Sequence, residues 1–230
     1  MKKVIKKIII FVVTVIFILS IVIIGTGYKM YKDAITSEPL EKKVAVIRSK
    51  KNYTKLSEMP QIYKDAVISV EDHRFYKHKG IDLISLGRAL VNDIKAMEFV
   101  EGGSTITQQL SKNIYFTQKK EITRKVAEVF MALNIEKKYS KEEILELYLN
   151  SSYFGDGYNT VKEAALGYFK KQPLKMTSSE SIMLAGIPNA PSVYSPTKNP
   201  ELSKQRQRQV AKKMVEYGYL TEDEEKEIIK

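Results

Sequence analysis

Cysteine is absent from the 230 residues, so the chain has neither disulfides nor thiolate metal ligands, as suits an exported protein without requiring one. Histidine is almost absent. The two present, His73 and His78, lack the spacing of a metal site, which argues against zinc chemistry. No Gly-x-x-x-x-Gly-Lys-Ser/Thr run occurs, which argues against a nucleoside triphosphatase. Internal repeats and low-complexity tracts are missing as well, and the length leaves no room for two large domains. Acidic residues are outnumbered 27 to 38, giving a formal charge of +11. Such a surface draws nucleic acid, anionic lipid headgroups or diphosphates.

Hydrophobic residues make up 43%, ample for a core. Ile8 to Ile24 carry no charge, and at roughly 1.5 Å per residue they cover about 26 Å, close to the hydrocarbon thickness of a bilayer. The competing reading is a cleaved signal peptide. Its apolar region would be shorter, and Gly25-Thr26-Gly27 only faintly matches a cleavage site. We therefore expect one N-terminal transmembrane helix over 8–27, with Tyr28 and Tyr31 at the interface. Lys2, Lys3, Lys6 and Lys7 hold a tail of residues 1–7 in the cytoplasm, so the rest faces outward, where nucleic acid is not a partner.

Residues 28–54 read as a stalk with one short strand, Val44-Ala45-Val46-Ile47, and the outward domain occupies 55–230. Beyond Pro60 apolar residues recur every three or four positions, and Ser140 with Glu143, Thr177 with Glu180 and Thr221 with Glu224 form capping signatures. Helices are predicted over 60–71, 82–98, 105–115, 121–138, 141–150, 160–170, 178–187, 200–217 and 222–229. The fold is expected to be mainly α. Loops are expected at 101–103, 153–159 and the proline-rich 188–200.

Glu71 closes a predicted apolar helix and enters the polar run Asp72-His73-Arg74. Burial would raise its pKa and the nearby cations would lower it, a balance that suits a general base near neutral pH. Taken alone, its residue type fits better an ordinary solvated helix end carrying mixed charges. Gly102-Gly103-Ser104-Thr105 leads into a predicted helix whose free amides suit an anion such as diphosphate, although a turn with a helix cap has the same composition. Lys112, Arg124, Lys125 and Glu128 form a second polar group, with the last three on one face of a helix. Exposed ion pairs look the same in sequence.

In order, these segments resemble the peptidoglycan glycosyltransferases, the family of monofunctional transglycosylases and of the glycosyltransferase domain of class A penicillin-binding proteins. The resemblance covers Lys55 to Tyr219. It rests on Glu71-Asp72-x-x-Phe75-x-x-His78-x-Gly80-x-Asp82, on Gly102-Gly103-Ser104-Thr105-Ile106-Thr107-Gln108-Gln109, on Arg124-Lys125-x-x-Glu128 and on Ile144-Leu145-Glu146-x-Tyr148-Leu149-Asn150. Leu184 to Pro191, followed by Tyr194-Ser195-Pro196, is a further match. Four ordered motifs outweigh the ordinary reading of each one.

The resemblance implies a lysozyme-like helical domain with a smaller membrane-proximal lobe, acting on lipid II and a growing glycan strand at the cell membrane beside other wall-synthesis proteins. It implies that Glu71 is the general base and that Glu128 assists by positioning the donor phosphates, directly or through a divalent cation, magnesium or manganese. Asp72, Phe75, His78, Gly103, Ser104, Thr105, Gln108, Gln109, Lys112, Arg124 and Lys125 would bind substrate. The Tyr153 to Thr160 segment departs from the pattern of many relatives, and no catalytic role is assigned there. No Lys-Thr-Gly occurs and the chain stops early, so a monofunctional enzyme is expected. Two other readings are a lytic enzyme that cleaves glycan, with glutamate as its acid, and a basic wall-binding scaffold. The first has no use for a diphosphate cradle, and the second leaves the motifs unexplained.

Overall fold

The computed structural model describes residues 2–96, 102–117 and 121–229. It begins with α1 (Lys2–Ser37), a helix long and apolar enough in its first half to cross a membrane. The helix does not stop at Gly25 or Gly27. It runs on through an Lys29–Asp33 pair at 2.8 Å and lies along α6 (Ile122–Lys138), with Tyr28 and Tyr31 against the Phe130 ring. Residues 25–37 are thus helix and not a loose stalk.

The predicted strand is also helix. α2 (Leu40–Arg48) buries Leu40, Val44 and Ile47 and leaves Val46 outside at 51% exposure. Spacings of four and three mark one face of a helix, whereas a four-residue apolar run seen alone fits either conformation. Among the described residues there is no strand.

From Pro60 onward the helices fall close to their predicted places: α3 (Gln61–Glu71), α4 (Leu83–Ala96), α5 (Ile106–Tyr115), α6, α7 (Lys141–Leu149), α8 (Val161–Ala164), α9 (Ser178–Gly186), α10 (Pro200–Glu216) and α11 (Glu222–Ile228). The predicted end of α4 at 97–98 and Glu101 of the first loop lie outside the described residues. Ser140, Thr177 and Thr221 each cap a helix as expected, and Thr105 does so for α5, with Gln108 returning the bond. The expected helix over 160–170 is shorter. After Ala164 it loosens into a π turn, Ala165–Phe169, where Gly167 lies so close to the Tyr158 ring that a Cβ would have no room.

α3 packs against α9 and α10, and α5 packs against α6 and α7. The core between them is filled by Tyr63, Phe75, Ile106, Leu110, Met131, Ile144, Leu145 and Tyr148, all buried. α7 also holds the extended segment that precedes α3. Asn150 accepts from the Thr54 amide at 2.8 Å and donates to the Thr54 carbonyl at 2.8 Å, standing in for a strand partner. Glu146 accepts from the Leu56 amide at 2.6 Å and from the Tyr53 hydroxyl. The Ile144 to Asn150 motif is therefore largely a clamp on the backbone, and it fixes where α3 starts.

Candidate active site

Glu71 is the last residue of α3, and Asp72 ends that helix. The Asp72 carboxylate accepts from the Ile106 amide at 3.0 Å and from His78 Nε2 at 2.9 Å. Because His78 Nδ1 accepts from the Gly80 amide at 3.2 Å, its proton sits on Nε2 and points at Asp72. Thr105 Oγ1 donates to the Gly80 carbonyl at 2.7 Å, and Gly80 itself has φ of +92° with the Ala132 backbone 3.2 Å from where a Cβ would stand. These bonds tie the end of α3 to the start of α5. Glu71 and the Gly102 to Gln109 motif are thereby held on one cleft.

That cleft has a volume of about 470 Å³, and its walls include Glu71, Gly103, Ser104, Asn189, Arg206 and Lys213. A second hollow of about 370 Å³, walled by Gln109, Lys112, Tyr148 and Tyr153, shares Asn189 with it. Gln109 Nε2 donates to Glu71 Oε2 at 2.7 Å, and Tyr148 donates its hydroxyl proton to Gln109 Oε1 at 3.1 Å. Oε1 of Glu71 is buried with no hydrogen-bond partner among the described residues. Burial pushes the Glu71 pKa above the usual carboxylate range, while the Gln109 amide and the charges of Arg206 and Lys112 hold it back and Asp72 pushes the same way as burial. A raised pKa makes the ionised carboxylate a stronger base.

The cationic group meets the wall of the cleft at Ser104. Lys125 Nζ reaches Ser104 Oγ at 2.5 Å and Glu128 Oε2 at 3.0 Å, while Arg124 pairs with the other oxygen of Glu128. Glu128 is 1% exposed, so this carboxylate is spent inside the protein on aligning two cations. Burial lowers the pKa of Lys112, Glu128 opposes that, and Arg124 and Lys125 add to it. Hydroxyl, lysine, lysine and arginine together form a cradle for an anion next to the base.

Several expected substrate contacts are frame instead. Phe75 is fully buried in the core under Lys141 Nζ, 4.5 Å from the ring centroid, and has no face on the cleft. His78 is spent on Asp72. Gln108 is spent on the Thr105 amide, at 3.0 Å, as the return bond of the cap. Asp72 and Thr105 touch the cleft but have their polar atoms engaged in the frame. Gly103, Ser104, Gln109, Lys112, Arg124 and Lys125 remain as direct candidates.

Sequence reasoning missed the far wall. Arg206, Gln209 and Lys213 of α10 recur at spacings of three and four and so share a face, which meets the cleft, and Tyr217 stacks on His73 with centroids 4.2 Å apart. The periodic face was legible, but a charged helix near a chain end reads as a solvated one. Tyr148 was missed because its neighbours in α7 are core residues.

Among the described residues no three His, Asp or Glu side chains cluster as metal ligands. Both oxygens of Glu128 are already engaged by cations.

A half-buried carboxylate close to a group of cations suits group transfer. A family model described as Transglycosylase matches residues 40–215, and the chain belongs to that family. It is 47% identical over 169 residues to penicillin-binding protein 1F of Bacillus subtilis (strain 168), covering 74% of this chain and 24% of that protein. It is 43% identical over 172 residues to penicillin-binding protein 1A of Neisseria flavescens, covering 75% of this chain and 22% of that one. The chain thus spans about a quarter of the length of these relatives. A crystal structure of penicillin-binding protein 1A from Haemophilus influenzae aligns with a TM-score of 0.47 at 23% identity, over 77% of this chain and 17% of that one.

Proposed function

We propose that this chain polymerises lipid II into glycan strands, releasing undecaprenyl diphosphate. The observation that carries the reading is that Glu71, a partly buried carboxylate with a raised pKa, lines one cleft with Ser104, whose hydroxyl in turn meets Lys125 Nζ. Glu71 takes the proton from the 4-hydroxyl of the acceptor sugar as that oxygen attacks the anomeric carbon of the donor. The bond from that carbon to the diphosphate oxygen breaks, and the electron pair leaves with the diphosphate. Lys112, Lys125 and Arg124 stabilise the growing negative charge. Attack from the face opposite an α-linked leaving group gives a β linkage, so the reaction inverts.

Membership of the transglycosylase family supports the substrate class. The leading apolar helix supports a single-pass anchor, and the lysines at 2, 3, 6 and 7 favour a cytoplasmic N-terminus with the catalytic domain outside. In such a place the substrates are a lipid-linked sugar and the strand made from it, and other wall-synthesis proteins are the natural partners. A divalent cation would arrive on the diphosphate, since Glu128 is occupied.

Purified protein in detergent with lipid II should yield glycan polymer. Glu71→Gln should lower the rate by about 10² to 10⁴. Polymer formation at an undiminished rate in that variant would remove Glu71 from the role of base.

A further inference from the structure

α6 has two opposite faces in use. At 100° per residue, Thr123, Val126 and Phe130 fall on one side and Arg124, Lys125 and Glu128 on the other. The second side is the anion cradle. The first side meets α1 at the outer end of its membrane-spanning part and just beyond it. Gly27 is the one buried residue of α1, and a Cβ there would lie 2.6 Å from Val126 Cβ and 2.8 Å from the Thr123 carbonyl oxygen. Tyr28, the next residue, meets Phe130 one turn along α6 edge to face with centroids 5.1 Å apart, and Tyr31 stacks on the same ring at 6.0 Å. Beyond α1 the Lys138–Glu41 pair at 2.5 Å and the Tyr115 hydroxyl, which donates to the Glu38 carbonyl at 3.0 Å, complete the seam.

We propose that the membrane-proximal part of α1 is a splint for the diphosphate cradle, with Gly27 as a positioning residue that sets where α6 carries Arg124 and Lys125. The inference rests on reading Ser104, Lys112, Arg124 and Lys125 as the diphosphate site. Glycine is required at 27 because the two helix backbones approach too closely for a methyl group. Any larger residue must push α6 away from α1 and shift the cations that it carries. The cradle cations ride on that helix, and their bonds to Ser104 and Glu128 span only a few ångströms, so a displacement of about 1 Å suffices to misalign them.

Gly25, half a turn earlier on the same helix, is the control, because a Cβ there meets nothing within 4 Å. The full chain in detergent micelles would be titrated with inorganic diphosphate by calorimetry, with the thermal midpoint recorded alongside. Gly27→Val should weaken binding by about tenfold, and Gly27→Ala by less, in chains that still unfold in one cooperative transition, while Gly25→Val binds as the parent does. In lipid II turnover the same Gly27 variants should raise KM more than they lower kcat. Lys125→Ala separates this inference from the function it rests on. If the parent binds diphosphate through Lys125 and Gly27→Val binds equally well, the splint is refuted alone. If the parent binds no diphosphate, or binds it equally without Lys125, the cradle and the splint fall together.

Discussion

Gln109 Nε2 stands 2.7 Å from Glu71 Oε2, and the amide is turned that way because its oxygen accepts from Tyr148 at 3.1 Å. Burial raises the pKa of the tyrosine well above its usual value, so it stays a proton donor across the working range. The three side chains form a one-way relay of hydrogen bonds that aims the carboxylate from below, leaving Oε1 for the substrate hydroxyl.

Gln109→Ala should therefore lower kcat by about 10- to 100-fold through loss of aim. Tyr148→Phe should act in the same direction but more weakly, since the amide can then rotate. Steady-state kinetics on lipid II checks both, and an unchanged kcat in Gln109→Ala would show that the bond is incidental.

Glu71 should cost the fold stability in the state that catalysis needs. Its folded pKa lies above the unfolded one, so its protonated form is favoured by folding and the benefit is lost as pH rises through the folded value. At neutral pH the native chain carries an ionised, poorly solvated carboxylate. Glu71→Gln should raise the thermal midpoint by about 2–4 °C at pH 7 and by less at pH 4 while removing activity. Calorimetric scans at the two pH values test the sign.

The pH–rate profile should be bell-shaped, with both limbs displaced inward. Activity needs Glu71 ionised, so it falls with falling pH at a higher pH than an ordinary glutamate would set. It also needs Lys112 charged, and burial lowers that pKa, so the alkaline limb comes below the usual lysine range. Lys112→Arg, which stays charged, should move the alkaline limb upward and leave the acid limb in place.

Asn150→Leu should destabilise the fold by about 1–3 kcal/mol, because the Thr54 amide and carbonyl both lose a buried partner. Denaturant unfolding measures it directly. A variant as stable as the parent would show that the clamp between α7 and the segment before α3 is dispensable.

The sequence exposed the helices well where capping and period agreed, as at Thr105, Ser140, Thr177 and Thr221. It misled at Val44 to Ile47, because a short apolar run carries no period of its own until Val44 and Ile47 are known to share a wall with Leu40. It also misled beyond Gly25 and Gly27, where a polar, mixed segment reads as a stalk. The tight approach of Val126 explains the second of them, and that contact lies about a hundred residues away in the chain. Within the motifs, residue type alone did not separate Lys125, which faces the anion cradle, from Phe75, His78 and Gln108, which hold the frame. All four sit in the same ordered segments.

Local rules acting over a few residues were enough to set the helical periods, the caps and the apolar leader, since each depends on neighbours within one or two turns. Ordered motifs were enough to mark Glu71 and the Gly102 to Gln109 run as parts of one machine. Only the tertiary structure decided which side chains of those motifs face the cleft, that Tyr148 aims Gln109, that α10 supplies a cationic wall, and that α1 braces α6. Those outcomes depend on contacts between segments tens of residues apart, and a buried polar group takes whichever partner the packing of distant helices brings within hydrogen-bonding reach.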